Sequence, residues 1–375
     1  MSAAPERDLA MQDAANIRPL TSLRFFAALW VVLYHYWPNL DAAVTLALVA
    51  KGYLGVELFF VLSGFILCHV YLSAVGEGRF KYGPFLWNRL ARVYPLHLAT
   101  LAGMVALGVV AGLAGIAIDA DILRWDALPA NLLMVQAWGF APAAAFNHPS
   151  WSISAEWFAY LTFPAFAFVA WRMRRKPWLL AGGTLAAVAV LYPAFQWLTG
   201  ESLTRATIAW GALRIVPCFA LGCAMQGLWR AGAIKSARMA AIGALFSGAF
   251  ILGSAAAGFP DMLVVAGFGG LILSLAGLPQ HGSTFGTQAG FVYLGEISYS
   301  TYMICVPWKI IFVNAAARVL NLADEKLPWP LWIIFITALI PLSAASYHLV
   351  EKPARTRMKL MADSWRSRRA VAAGA

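Results

Sequence analysis

One arginine and one histidine in the first apolar stretch have the spacing of residues that act together. Arg24 and His35 are eleven residues apart, which is about three helical turns plus 20°, so both side chains lie on one face of a helix. They are separated by about 16 Å along the helix axis. Titratable side chains are costly within a membrane, so both residues are functional candidates. The alternative is that each only extends its polar end toward a membrane surface.

Two carboxylates are predicted near the level of this histidine. Glu57 lies four residues into the second apolar stretch, and Glu156 lies six residues into the fourth. With a rise of about 1.5 Å per residue, both fall within about 10 Å of the membrane boundary that His35 approaches. We therefore expect the three groups to face each other, with His35 as a general base beside a carboxylate that orients its ring. The alternative is a structural ion pair.

A pair of arginines lies on the opposite side of the predicted membrane. Arg89 and Arg92 occur in the string WNRLARVYP, and positions i and i+3 of a helix point in the same direction. Two guanidinium groups held in this way suit the oxygens of a phosphate group. The alternative is the ordinary positive charge of cytoplasmic loops.

The elements that carry these residues are predicted to be transmembrane helices. Hydrophobic residues make up 61% of the 375-residue chain and charged residues only 12%, whereas soluble domains contain about 45–50% and 25%. A spanning helix needs about 20 mostly apolar residues. The sequence therefore predicts an all-α polytopic membrane protein, with a short interfacial or re-entrant helix over 128–141. The ten predicted spans are 19–38, 53–73, 94–116, 150–171, 178–197, 206–229, 239–257, 261–279, 289–312 and 329–350.

The basic residues predict the orientation of these spans. If the N-terminus is cytoplasmic, 20 of the 28 Lys and Arg residues fall on the cytoplasmic side and five on the other. This bias predicts that both termini are cytoplasmic, and it accounts for the net charge of +11 without a nucleic-acid partner. We expect a cytoplasmic segment over 1–18, a transmembrane domain over 19–352 and a basic cytoplasmic tail over 353–375.

Six strings in this order resemble the acyltransferase-3 family of integral-membrane acyltransferases, over residues 18 to about 355. They are RPLTSLRFFAALWVVLYHYWP, GYLGVELFFVLSGFIL, FLWNRLARVYPLH, PSWSISAEWFAYLTFP, LGEISYSTYMICVPW and YHLVEKPAR. The resemblance implies O-acylation, usually acetylation, of extracytoplasmic carbohydrates or lipids from cytoplasmic acyl-CoA. It also implies that His35 is the key catalytic residue and that Arg24, Arg89 and Arg92 are important. We expect these three arginines to bind the donor.

The chain departs from the family pattern at two positions. Glu57 stands where the family usually has Asp, which keeps the charge, and Cys305 stands where the family commonly has His, so no role is carried over to that position. Some members carry a C-terminal SGNH hydrolase-like domain. We expect a stand-alone transmembrane domain here.

Together these observations predict a multi-pass enzyme of the bacterial inner membrane that contacts membrane lipid. It would move an acyl group, with acetyl expected, from acyl-CoA to a hydroxyl of a glycan or glycolipid, and it would need no metal. The rival functions are a secondary transporter or flippase and a non-catalytic membrane scaffold. Transporters often show inverted repeats and helices broken near the midplane, and we detect no repeat in the sequence.

Overall fold

The computed structural model describes residues 17–115 and 122–374, and for 323 and 365–374 it describes the backbone only. Within these residues there are twelve helices of eight or more residues and no strand. We number them in chain order: α1 Arg18–Tyr36, α2 Gly55–Gly76, α3 Tyr82–Leu113, α4 Trp151–Arg172, α5 Pro177–Thr199, α6 Gly211–Arg230, α7 Ala237–Ala256, α8 Asp261–Gln280, α9 Ala289–Glu296, α10 Ser298–Leu320, α11 Trp329–Ser346 and α12 Lys352–Gly374.

The helices confirm the predicted all-α polytopic membrane protein. In the described part of the chain, nine helical segments are long and apolar enough to cross a membrane. These segments include α2 to α8, α10, and α11 together with the start of α12. The helix α1 is less apolar, but its 19 residues give it a length of about 28 Å. It packs against α2, α8, α9 and α10 as a tenth member of the bundle.

Three predicted boundaries differ from the structure. The helix α3 begins at Tyr82, twelve residues before the predicted span at 94, so Arg89 and Arg92 belong to the same helix as that span. The predicted ninth span is divided at Ile297 into α9 and α10. The predicted short helix over 128–141 is a single α-helical turn at Leu128–Leu132, followed by a 3₁₀ turn at Gln136–Trp138.

The basic segment after 352 is not separated from the bundle. A π-helical turn at Tyr347–Glu351 joins α11 directly to α12. The indole Nε1 of Trp87 in α3 donates a hydrogen bond of 2.8 Å to the carbonyl oxygen of Met358, which holds α12 against α3. The predicted N-terminal segment 1–18 lies almost wholly outside the described residues.

Close packing of α2 on α6 fixes the core of the bundle. A side chain at Gly64 would collide with the backbone of Phe219, and one at Gly222 would collide with the backbone of Val61. Only glycine permits the two backbones to approach this closely. This crossing sets the position of Glu57, on α2, relative to Arg214, on α6.

Hydrogen bonds with α10 and α11 hold the end of α1 that carries His35. The hydroxyl of Tyr36 donates to the carbonyl oxygen of Cys305 at 2.8 Å, and Trp332 Nε1 donates to the carbonyl oxygen of Tyr36 at 2.9 Å. Lys309 Nζ donates to the carbonyl oxygen of His35 at 3.2 Å. The bonds from Trp332 and Lys309 satisfy carbonyl groups at the end of α1, and all three fix the backbone that presents the His35 ring.

Candidate active site

A large cavity lies between α1, α2, α3, α4, α10 and α12. Its volume is about 640 Å³. One end, which we call the buried end, is lined by Val56, Phe60, Ser152 and Tyr302, all of them buried. The other end, which we call the open end, reaches the exposed Asp363 on α12. The cavity therefore extends from the surface into the interior of the helix bundle.

Four arginines from three helices converge on this cavity. Arg24 comes from α1, Arg89 and Arg92 from α3, and Arg355 from α12. Among the residues that the structure describes, none of these four guanidinium groups forms a hydrogen bond or an ion pair within 4 Å, and Arg89 Nε is buried without an acceptor. Guanidinium groups without counterions repel one another and attract phosphate or carboxylate. The cavity therefore has an arginine-rich lining that suits an anion, and it contains all three arginines predicted to serve the donor.

Glu156 lies in the same cavity as the arginines. Its Oε1 accepts hydrogen bonds from Ser63 Oγ at 2.9 Å and from the hydroxyl of Tyr160 at 2.5 Å. Ser63 follows Glu57 by six residues on α2, which is about 9 Å along the helix. Glu156 therefore lies deeper than the level predicted for it and faces the cationic lining rather than His35.

Glu57 has a different partner, which the sequence did not identify. Its Oε1 accepts a hydrogen bond of 2.5 Å from Arg214 Nε, and both side chains are buried. Arg214 Nη1 donates to the carbonyl oxygen of Ala206 at 3.0 Å, and the guanidinium lies over the ring of Trp151 at 4.4 Å. A charge inside the bundle needs a counterion, and Arg214 provides one for Glu57.

The third member of the predicted cluster, His35, faces another histidine. The rings of His35 and His148 are 6.3 Å apart and nearly perpendicular. No hydrogen bond or ion pair joins His35 to Glu57 or Glu156 in the part of the chain described here. The structure thus does not bring the three predicted groups together, because Arg214 holds one carboxylate and Tyr160 with Ser63 holds the other.

His148 is a site residue that sequence reasoning missed. It occupies the 3₁₀ turn His148–Ser150 that leads into α4. The motif PSWSISAEWFAYLTFP, which carries Glu156, begins one residue later. Its position at the start of the fourth span, on the side of the membrane that His35 approaches, was a usable signal. Its proximity to His35 could not be predicted, because His148 lies before a different helix and no sequence periodicity relates the two residues.

Two hydroxyl groups lie at the end of the cavity nearest to the histidine pair. Ser152 Oγ donates to the Tyr302 hydroxyl at 2.8 Å, and that hydroxyl donates to the carbonyl oxygen of Pro149 at 3.0 Å. Both side chains line the buried end. Ser152 follows His148 by four residues, so the histidine pair lies about one helical turn beyond this end.

Comparisons with known proteins identify acyltransferases that this chain resembles. A family model described as an acyltransferase domain matches residues 19–348. The chain is 30% identical over 308 residues to Acyltransferase MdmB of Streptomyces mycarofaciens, covering 76% of this chain and 77% of that protein. It is 24% identical over 383 residues to Putative peptidoglycan O-acetyltransferase YrhL of Bacillus subtilis, covering 92% of this chain and 56% of that protein. No solved structure matches the chain.

Proposed function

Because the chain belongs to the acyltransferase-3 family and is therefore a membrane-embedded acyltransferase, we propose that acyl-CoA is its donor. The observation that carries this proposal is the convergence of four arginines, none with an ion-pair partner among the described residues, on one cavity. We further propose that acetyl is the group transferred, that the acceptor is a hydroxyl of an extracytoplasmic glycan or glycolipid, and that the protein resides in the bacterial inner membrane.

The two ends of the cavity suit the two ends of such a donor. Phosphate groups carry the negative charge of CoA, and Arg89 and Arg92 lie toward the open end to receive them. The pantetheine arm is long, thin and nearly neutral. It would pass Arg24 and Tyr160 and bring the thioester to the buried end beside Ser152.

His35 is the proposed general base. It removes the proton of the acceptor hydroxyl as that oxygen attacks the thioester carbon, and it returns the proton to the departing thiolate of CoA. Since neither predicted carboxylate contacts His35, we propose that His148 and Tyr34, whose rings lie 6.3 Å and 5.2 Å away, orient the imidazole. For the thioester to reach His35, the hydrogen bond between Ser152 and Tyr302 must open.

The two glutamates receive different roles in this proposal. Glu156 positions Tyr160 and reduces the repulsion among the arginines of the cavity. Glu57 neutralises Arg214 inside the bundle. Neither is proposed to exchange a proton with the acceptor.

The proposed topology determines on which side of the membrane the acceptor binds. The distribution of basic residues favours both termini in the cytoplasm, which puts the open end of the cavity on the cytoplasmic side and the histidine pair near the outer face. The name of YrhL refers to peptidoglycan. A cell-envelope glycan is thus the acceptor class that we propose to test first.

Release of free CoA thiol by the purified protein tests this function. The protein in lipid nanodiscs is given acetyl-CoA, with and without oligosaccharides prepared from the cell envelope, and thiol is measured with a chromogenic disulfide. An acyltransferase releases thiol and forms an ester on the oligosaccharide that mass spectrometry detects. Binding without thiol release or ester formation would instead favour a transporter or flippase.

A further inference from the structure

The C-terminal helix α12 contributes cationic side chains to the open end of the cavity. Arg355 and Lys359 both line it, together with Ala362 and Asp363. Residues 355, 359 and 363 are four apart, so they lie along one face of the helix. The intervening Arg357 is exposed and does not line the cavity. The sequence alone assigned all of these residues to a basic tail.

Two observations place α12 beside α3 along the cavity. Arg355 lies close enough to Arg92 and Arg89 to interact with their charges. One turn later, the carbonyl oxygen of Met358 accepts the hydrogen bond from Trp87. Later residues of α12 thus lie beside earlier residues of α3. Lys359 is consequently the cavity cation nearest the open end and farthest from the buried end.

We infer that Arg355 and Lys359 form a second phosphate site, which binds the 3′-phosphate on the ribose of acyl-CoA. This inference rests on the proposed donor. The thioester must reach the buried end, and the pyrophosphate follows at Arg89 and Arg92. The nucleotide, whose 3′-phosphate is the remaining charged group, then lies at the open end where these two side chains are found.

The charges around Arg355 agree with an anionic occupant. In the described residues Arg355 has no ion-pair partner within 4 Å, although Glu351 lies one turn before it. Glu351 is buried, and its Oε2 accepts a hydrogen bond of 2.8 Å from Ser300. The guanidinium is therefore held between other cations by the fold and is available to a phosphate.

Paired donors that differ only in this phosphate test the inference. Equilibrium binding of acetyl-CoA and of acetyl-3′-dephospho-CoA is measured with protein in nanodiscs of neutral lipid. The wild type should bind acetyl-CoA about tenfold or more tightly than the dephospho compound. Arg355→Gln with Lys359→Gln should bring that ratio close to one, because the second site is lost and glutamine preserves the helix.

Two control variants separate this site from general charge effects. Arg357→Gln removes one charge from the exposed face of α12 and should keep the wild-type ratio. Arg92→Gln should weaken both donors alike and also keep the ratio. If the double variant keeps the wild-type ratio, or if Arg92→Gln alone abolishes it, the assignment of Arg355 and Lys359 is wrong.

Other outcomes distinguish this inference from the proposed function. A wild type that binds both donors equally overturns the second phosphate site but leaves acyl-CoA as the donor. A wild type that binds neither overturns both. If the preference for acetyl-CoA disappears when phosphatidylglycerol is added to the nanodiscs, the two side chains bind lipid headgroups and the assignment to the donor is wrong.

Discussion

Replacement of Arg92 by alanine should separate binding of the donor from stability of the fold. The charges of Arg24 and Arg355 both act on Arg92, and Glu351 lies on the same network. Loss of one charge-assisted contact with a phosphate costs about 1.5–3 kcal/mol, which corresponds to an affinity about ten- to a hundredfold weaker. Lysine should restore only part of the affinity, because it is a point charge without the planar fork.

The same substitution should leave the stability of the ligand-free protein nearly unchanged. Within the described residues, Arg92 has no hydrogen bond or ion pair within 4 Å to lose. Removing its charge relieves repulsion from two guanidiniums and weakens attraction to one carboxylate. We therefore expect the free energy of unfolding to change by less than about 1 kcal/mol. A cationic side chain that does not stabilise the fold is expected at a site where it binds a ligand.

Isothermal titration of acetyl-CoA into protein in neutral-lipid nanodiscs measures the first effect, and thermal unfolding without ligand measures the second. Arg79→Ala is the matched control, because it removes one arginine that is exposed, pairs with Glu77 and lies outside the cavity. It should leave both quantities unchanged. If a folded Arg92→Ala protein binds the donor with unchanged affinity, Arg92 does not bind the donor and serves only as a positive charge that orients the helices in the membrane.

Three further predictions concern the buried ion pair, the topology and the second carboxylate. Glu57→Gln or Arg214→Met alone should lower the free energy of unfolding by about 3–5 kcal/mol, and the double variant should lose less than the sum of the two, as measured by chemical denaturation. A cysteine at the exposed position of Glu201 should react with a membrane-impermeant thiol reagent in whole cells, and one at Lys235 should not; the reverse pattern would overturn the proposed orientation. Glu156→Gln should lower the turnover number less than loss of the base does, and a loss equal to that of the base would make Glu156 a catalytic residue.

Most of the fold followed from the sequence because a membrane reduces the choice of structure to helices of fixed length. The start of α3 did not, since the charges of Arg89 and Arg92 keep the string WNRLARVYP out of a predicted apolar span. Hydropathy treats every charged residue as exposed to water or costly in lipid. It cannot recognise a charged residue that faces a polar cavity inside the bundle.

Residues of the candidate site could be predicted only where a pattern within one helix indicated them. The spacing of Arg89 and Arg92 and the depth of Arg24 led to residues that all line the cavity. The pairing of Glu57 with Arg214 spans 157 residues, and no periodicity connects two helices that far apart. The prediction that His35, Glu57 and Glu156 contact each other rested only on their similar depth in the membrane. At a given depth, however, a bundle of this size offers each titratable group several possible partners.

The most direct test of the proposed mechanism is acyl transfer by the His35→Ala variant. In nanodiscs this variant should bind acetyl-CoA with the wild-type affinity, because His35 does not line the cavity. Its rate of ester formation on the acceptor should fall by about 10²–10⁴-fold, the usual cost of losing a general base. His281→Ala, a histidine bonded to the carbonyl oxygen of Ile234 away from this site, should retain full activity. A rate for His35→Ala within about threefold of the wild type would contradict the assignment of His35 as the base.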